Sequence, residues 1–519
     1  MRKLLADVVF LPMVVLATAY VSGCFHFAED CELNPTLECG SWTPKGTGSA
    51  SNSSTSGTGG APSGCIPSED PKTAVDTSCG VFVSASGNDG ATGAQDKPVQ
   101  SLKQAVMLAL GGEKRIYACA EDLAGAVELP AGITVYGGLD CGMMPRSWLY
   151  VGEKAKTTIT AEAETIPLTL ASGTGTKLFD LRVLAKAATN AGGSSIAVVA
   201  NQVLAEITGC VFEAGDGKEG SQGKPYPSAA SSGTMGVKGG DACSANTVLG
   251  GDSIAGMCGT PDSISGLGGS GTLISGGDGS KGSPTGATNG GAGEGASSCI
   301  PGTNGNDGTP GMSGVGATGL GTISTSGFGG IIGMPGLLGP PGQGGGGGGG
   351  AKGGMALDKC PVAGMTGGAA GGSGGSGGCG GVGGKGGSPG GSSIALLSLS
   401  SSLTFSQVTL STGKGGNGGD GGVGQDGGGP GAPGKGGAIP MSATSLNVGC
   451  DGGFGGTGGK GGKGGGGAGG HSIAIAFTGT KPVQGEWTAT TGTFGVGGLG
   501  GNAVGEGAPG VKAEMQEFK

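Results

Sequence analysis

"SSIALLSLSSSLTFSQVTLSTGKGG", from Ser392 to Gly416, alternates apolar with small or hydroxylated residues, as a β-strand with one buried face does. It stands in a chain where 132 of 519 residues are glycine, about a quarter, against the usual ~7%. An earlier stretch repeats it. "SIAVVANQVLAEITGCVFEAGDG" from Ser195 aligns over 23 residues, without a gap, with "SIALLSLSSSLTFSQVTLSTGKG" from Ser393. Ile196 meets Ile394, Val198 meets Leu396, Ile207 meets Phe405, Cys210 meets Val408, Phe212 meets Leu410 and Gly215 meets Gly413. A fainter copy, "SIAIAFTG" from Ser472, reaches a glycine at the same offset, Gly492. Upstream, "TKLFDLRVLA" matches "AEITGCVFEA" and puts Leu178, Leu181 and Val183 at the same inward positions. Strands repeated in this way are expected to be coils of a solenoid, each burying its face on the next.

Before these coils, "CGVFVSASGNDGATGAQDKPVQSLKQAVMLAL" from Cys79 reads as a strand (Val81 to Ser84), a turn and a helix. Ser101 caps the helix, and Leu102, Ala105, Val106, Ala109 and Leu110 form its apolar stripe. "RIYACA", "AVELPAG" and "ITVYGGLDC" follow as short strands broken by Gly or Pro. "FVSASGNDGATGAQDKPVQSLKQAV" with "RIYACA" and "ITVYGGLD", over Val81 to Trp148, resembles the opening of right-handed parallel β-helix proteins of the pectate-lyase-like superfamily. The resemblance implies an all-β, right-handed parallel β-helix whose short N-terminal helix plugs the first coil and covers its edge.

Between the coils, glycine recurs at every third position: Gly330, Gly333, Gly336, Gly339, Gly342 and Gly345, with similar runs from Gly302, Gly381 and Gly413. Three residues per turn is the polyproline-II repeat, and glycine at every third place lets backbones approach closely. These runs break too soon for a collagen triple helix. The inserts are therefore expected to be polyproline-II-like in part, or disordered, and to leave the solenoid as loops on one face. Their texture resembles glycine-rich surface proteins of the PGRS type and, more loosely, the glycine-rich cell-surface lipoproteins of myxobacteria.

The amino terminus has the layout of a secretory signal: Arg2 and Lys3, an apolar stretch from Leu4 to Tyr20, then Val21-Ser22-Gly23-Cys24. The last four residues resemble a bacterial lipobox, which implies lipidation at Cys24. Phe25 is not the aspartate that marks inner-membrane retention, so the resemblance implies an outer membrane lipoprotein exposed at the cell surface. The expected organisation is a signal peptide at 1–23 and a lipid-anchored, Cys-containing segment with a Ser/Gly linker at 24–78. The N-terminal cap and first coils occupy 79–214, a glycine-rich insert 215–392 and a coil 393–412. A second glycine-rich insert spans 413–470, and the last coil with a C-terminal tail 471–519.

Fourteen cysteines beside two histidines point to disulfides in an exported protein, since no Cys-x-x-Cys pair is present. Cys31 with Cys39, Cys65 with Cys79 and Cys119 with Cys141 are plausible local pairs, though connectivity is not fixed by spacing. If Cys24 carries lipid, thirteen remain, so at least one thiol is free or paired between chains. A net charge of −9 with 13% charged residues argues against nucleic acid and against a polybasic membrane patch.

No catalytic, cofactor-binding or metal-binding residues are assigned. "GGTGGKGGK" near Lys460 lacks the Ser/Thr of a phosphate loop, and "GGNGGDGGV" (Gly415 to Val423) carries Gly422 in the hydrophobic slot of a calcium nonapeptide. His26 and His471 read as isolated surface residues. Charges on the recognisable coils, Asp180, Arg182, Glu206 and Glu213, are scattered, and Thr404 replaces Glu206 on the next coil. The expected function is non-enzymatic: a lipid-anchored surface protein for display, adhesion or matrix, with membrane, surface polysaccharide or neighbouring surface proteins as partners. The alternative is a polysaccharide-binding or polysaccharide-cleaving β-helix protein, a lyase or hydrolase.

Overall fold

The computed structural model describes residues 64–142, 146–152, 154–259, 262–284, 290–355, 359–361, 365–443 and 445–519. The expectations at 1–23, Cys24, Cys31, Cys39, His26 and the linker as far as residue 63 lie outside them. Regular structure is almost entirely strand, and the two large sheets are parallel.

One sheet stacks Val127–Leu129, Leu168–Leu170, Ser195–Asn201, Ser393–Leu399, Ser472–Thr478 and Lys512–Glu517. The aligned repeats are neighbours here in the expected register: Ile196 on Ile394 on Ile473, and Val198 on Leu396 on Ile475. The second sheet has two arms. One runs through Arg115–Cys119, Thr134–Leu139, Gly173–Phe179 and Val203–Thr208; the other runs through Thr157–Thr160, Leu181–Ala185 and Val211–Ala214. They meet on Ser402–Thr412, which is long enough to pair with both Val203–Thr208 and Val211–Ala214. Val483–Thr490 lies on its other edge.

The corners between arms are columns of left-handed residues. Asp180, Gly209 and Gln407 have φ of 54°, 62° and 54°, with the Asp180 amide bonded to Thr208 O and the Gly209 amide to Ser406 O. Gln202, Ser400 and Gly479, at 48°, 48° and 80°, repeat the arrangement at the next corner. One sharp turn per strand pair brings each inward side chain above its equivalent. Leu178, Ile207 and Phe405 form one buried column, and Val183, Phe212 and Leu410 another.

The strands beginning Ser-Ile-Ala are nearly all apolar because both faces are covered. The inner face joins the core. The outer face, with Val199, Ile394, Leu397 and Ile473, is covered by the hairpin Thr322–Ser324/Gly327–Gly329 and by Phe518. His471 belongs to this region and is 2% exposed, so it is not the surface residue its isolation suggested. The helix spans Leu102–Leu110, with Ser101 Oγ accepting the Gln104 amide. Leu102, Ala105, Val106 and Ala109 are buried, but Leu110, expected on the stripe, is exposed: the helix ends there and only its preceding turns reach the strands.

Near the start, Phe82, Tyr117, Tyr136 and Phe179 stack on successive strands at centroid distances of 5.2, 5.3 and 4.9 Å. Trp148 packs edge-on against Phe82, and the Tyr117 hydroxyl donates to Cys65 O at 2.7 Å. The Cys65–Cys79 and Cys119–Cys141 disulfides fasten this outer cluster.

Apart from the short pairs Ala255–Gly256/Ser263–Ile264 and Thr322–Ser324/Gly327–Gly329, the described residues of the glycine inserts form no strand or helix, yet their backbones are bonded to one another at every third residue over long runs. Gly333, Gly336, Gly339 and Gly342 donate to Gly387, Gly384, Gly381 and Gly378, so these two segments are antiparallel. Gly375, Gly378, Gly381 and Gly384 donate to Gly453, Gly456, Gly459 and Gly462, so that pair is parallel. At Gly347, Gly348 and Gly349, an added Cβ would strike the carbonyl oxygens of Leu267, Cys450 and Ala292 respectively. Three consecutive residues thus face three different neighbours.

Glycine content follows from this geometry. "GIIGMPGLLGPPG" lies at the surface with one glycine per triplet, "GGSGGSGGCGG" is flanked on two faces, and Gly344–Gly350 is surrounded and wholly buried. The inserts are not separable loops. Of the five cysteines within 220–388, Cys243 pairs with Cys360 and Cys258 with Cys379, while Cys299 pairs with Cys450 of the second insert. Deleting 220–388 would strip that insert of part of its backbone partners, such as Cys379 O for Gly428 and Ser376 O for Gly431.

Two outcomes follow for stability. Phe212→Ala should lower unfolding free energy by about 3–5 kcal/mol in chemical denaturation, because its column cannot collapse between fixed strands. Gly348→Ala should destabilise by about 1–3 kcal/mol or more, whereas Gly295→Ala, whose Cβ meets nothing within 4 Å, should leave the thermal midpoint unchanged or raised.

Candidate interaction surface

The charges singled out on the coils are engaged with neighbouring side chains. Lys177 pairs with Glu206 at 2.8 Å across adjacent strands, and Arg182 Nε donates to Glu213 Oε2 at 3.1 Å, which raises the guanidinium pKa. Asp180 accepts from the Tyr150 hydroxyl at 2.8 Å and from Lys156 Nζ at 3.3 Å. Cys210, the free cysteine of the described residues, lies in the core, where burial pushes its thiol up to about 12. Such a thiol is a poor nucleophile. Among the described residues, no group of three or more His, Cys, Asp or Glu is placed to hold a metal ion. No described helix is long and apolar enough to cross a membrane.

Polar side chains on the glycine segments have a shared task. At several positions the amide of a residue that follows a glycine points at a neighbouring segment, where a side-chain oxygen accepts it. Asn417 Oδ1 takes the Val496 amide at 3.0 Å, and Asp420 Oδ1 takes the Leu499 amide at 2.7 Å. Asp307 Oδ1 takes the Thr457 amide at 2.7 Å. Ser376 and Ser373 do the same for Thr234 and Val237, each at 2.8 Å. The calcium-like stretch at Gly415–Val423 thus uses Asn417 and Asp420 to join two backbones. Lys460 pairs with Asp426, and Lys463 Nζ donates to Gly500 O. A sequence reader could have found this role in the three-residue spacing of Asn417 and Asp420, or of Ser373 and Ser376.

The clefts are shallow. One of about 220 Å³ lies between Glu164, Lys186, Ser194, Ser326 and Phe328, and Glu164 within it is occupied by the amides of Thr189 and Asn190. Those bonds hold its carboxyl below the usual carboxylate range. A wider groove of about 470 Å³ is lined by Glu219, Gln222, Asn417, Asp420, Val496 and Leu499.

A further feature is apolar. No charged residue occurs between Asp307 and Lys352. On this stretch Met312, Ile332, Met334, Leu337 and Leu338 are each more than half exposed. The Met334 and Leu337 amides bond to Val315 O and Met312 O at 2.9 and 2.8 Å, so these side chains stand on adjoining segments and form one surface. Exposed apolar patches of this kind mark contact sites. Cys24, the one site residue assigned from sequence, lies outside the described residues. No family model, curated protein or solved structure matches the chain.

Asp420→Ala should free the Leu499 amide and cost about 0.5–1.5 kcal/mol, while Asp420→Asn keeps the acceptor. Hydrogen exchange at Leu499 should accelerate in the first variant and stay near wild type in the second.

Proposed function

We propose that the chain is a non-enzymatic, lipid-anchored surface protein that presents a rigid contact face. In this reading Cys24 carries the lipid at the outer membrane, and the residues before Gly64 tether the folded part. The parallel sheets are a right-handed β-helix whose first coil is plugged by Leu102–Leu110, and the glycine segments are polyproline-II helices packed side by side. The contact face is the uncharged stretch between Asp307 and Lys352.

The observation that carries the proposal is the division of labour among side chains. Lys156, Lys177 and Arg182 on the coils are paired with Asp180, Glu206 and Glu213, and Asn417, Asp420, Ser373 and Ser376 of the glycine segments are bonded to backbone. Met312, Ile332, Met334, Leu337 and Leu338 face solvent on adjoining segments that carry no charge. A scaffold held by backbone bonds can present such residues without burying them in its own core, which suits adhesion or matrix contact. Fold alone does not assign a role, so the proposal rests on this surface.

Two experiments test it. Cys24→Ala should release the protein from the membrane fraction or leave the signal uncleaved. Wild-type protein without an acyl chain by mass spectrometry would overturn the anchor. Met334→Asp with Leu337→Asp should abolish cell-surface attachment while leaving the circular dichroism spectrum intact. Undiminished attachment, or cleavage of a surface polysaccharide by the purified chain, would overturn the display role.

A further inference from the structure

We propose that His471 is an acid-sensitive latch, and that protonating its ring releases the C-terminal strand Lys512–Glu517 from the edge of Ser472–Thr478. The ring sits where three elements meet: the start of Ser472–Thr478, the Leu320–Gly329 connection, and the chain from Val511 to Phe518. Its Nδ1 accepts the Val511 amide at 2.9 Å. The proton is therefore on Nε2, which donates to Leu320 O at 2.7 Å. Phe328 and Phe518 pack edge-on against the ring at 5.1 and 5.9 Å.

Both nitrogens are thus committed, and only the neutral ring satisfies them. A second proton on Nδ1 would set two donors against each other at Val511, one residue before a strand that, among the described residues, is paired on one side only. Beyond Val511 that strand is held by its ladder to Ser472–Thr478, by Met515 against the core and by the Phe518 amide on Phe477 O.

The groups bonded to or packed on the ring are uncharged, and the nearest charges beyond Phe328 are Glu164 and Lys186, which line the cleft on that residue's other side. Residues 317–329 contain no titratable side chain. Glu506, Lys512, Glu514, Glu517 and Lys519 on the C-terminal stretch are exposed, as is Lys414 on the adjoining glycine segment. Burial holds the imidazole below its ordinary value of 6.5, with the Leu320 carbonyl pulling weakly the other way. The sign follows. A group whose folded pKa lies below its unfolded one stabilises fully above the unfolded value and loses that contribution as pH falls beneath it. The latch is closed at neutral pH and weakens in acid.

The test is hydrogen exchange on the full chain across roughly pH 7.5 to 4.5, the range in which a histidine titrates. Amides from Ala513 to Phe518 should lose protection as pH drops below 6.5, while those of Arg115–Cys119 keep theirs. His471→Gln, which retains an acceptor and a donor without a titratable ring, should flatten the response at Ala513–Phe518. Should that variant fail to fold, the wild-type imidazole resonance serves instead: ring protonation and loss of protection should share one midpoint. Protection that survives protonation of the ring, or a glutamine variant that follows the wild-type profile, would overturn the proposal.

Discussion

The structure depends on backbone amides bonding directly to the carbonyls of neighbouring segments, with no side chain between them. A buried peptide group must find a partner, and among the described residues of the glycine region the partner is mostly another backbone, with side-chain oxygens reaching across at other points. That closeness excludes a Cβ wherever two segments touch. The same contact continues without interruption into the sheets. Gly193, Gly391, Gly470 and Gly510 stack on one another, and two residues later Ser195, Ser393, Ser472 and Lys512 stack as strands. Sheet and glycine region are therefore successive parts of the same columns.

This continuity explains why long, glycine-rich inserts do not loosen the coils they interrupt. Ordering glycine is entropically unfavourable, and a segment with one neighbour would have little to offset that loss. A segment with several neighbours bonds repeatedly along its length, and residues 371–388 bond to segments near 234, 266, 342, 431 and 453. Three disulfides, spanning 117, 121 and 151 residues, shorten the unfolded chain where such contacts are most distant in sequence.

The coil register was legible in the sequence because inward positions repeat without a gap: Phe212 over Leu410 and Ile196 over Ile394 follow from alignment alone. Cys65 with Cys79 and Cys119 with Cys141 stood in the sequence only as plausible local pairs, and the fold joins both. What escaped was set by distance. Nothing near His471 in sequence announces Leu320 or Phe518, whose packing buries it. Nothing in Cys299 points to Cys450. The period of three was visible, but its meaning as a count of touching faces was not, because neighbours such as Leu267 and Ala292 lie on segments without their own strong repeat. The apolar surface was hidden for the same reason: a lone Met or Leu among glycines gains significance only when two segments set them side by side.

A scaffold of this kind separates what holds it together from what it shows. Where a segment borders solvent, the residues between its glycines, such as Ile332, Met334, Leu337 and Leu338, project outward and take little part in its cohesion. Substitutions there should behave as nearly independent changes. A lineage could then vary the outward positions freely while keeping the glycines, as a printed page keeps its margins while its text is rewritten. Related chains would diverge in the chemistry they present before they diverge in fold, and selection on a changing partner would be recorded in those outward positions first.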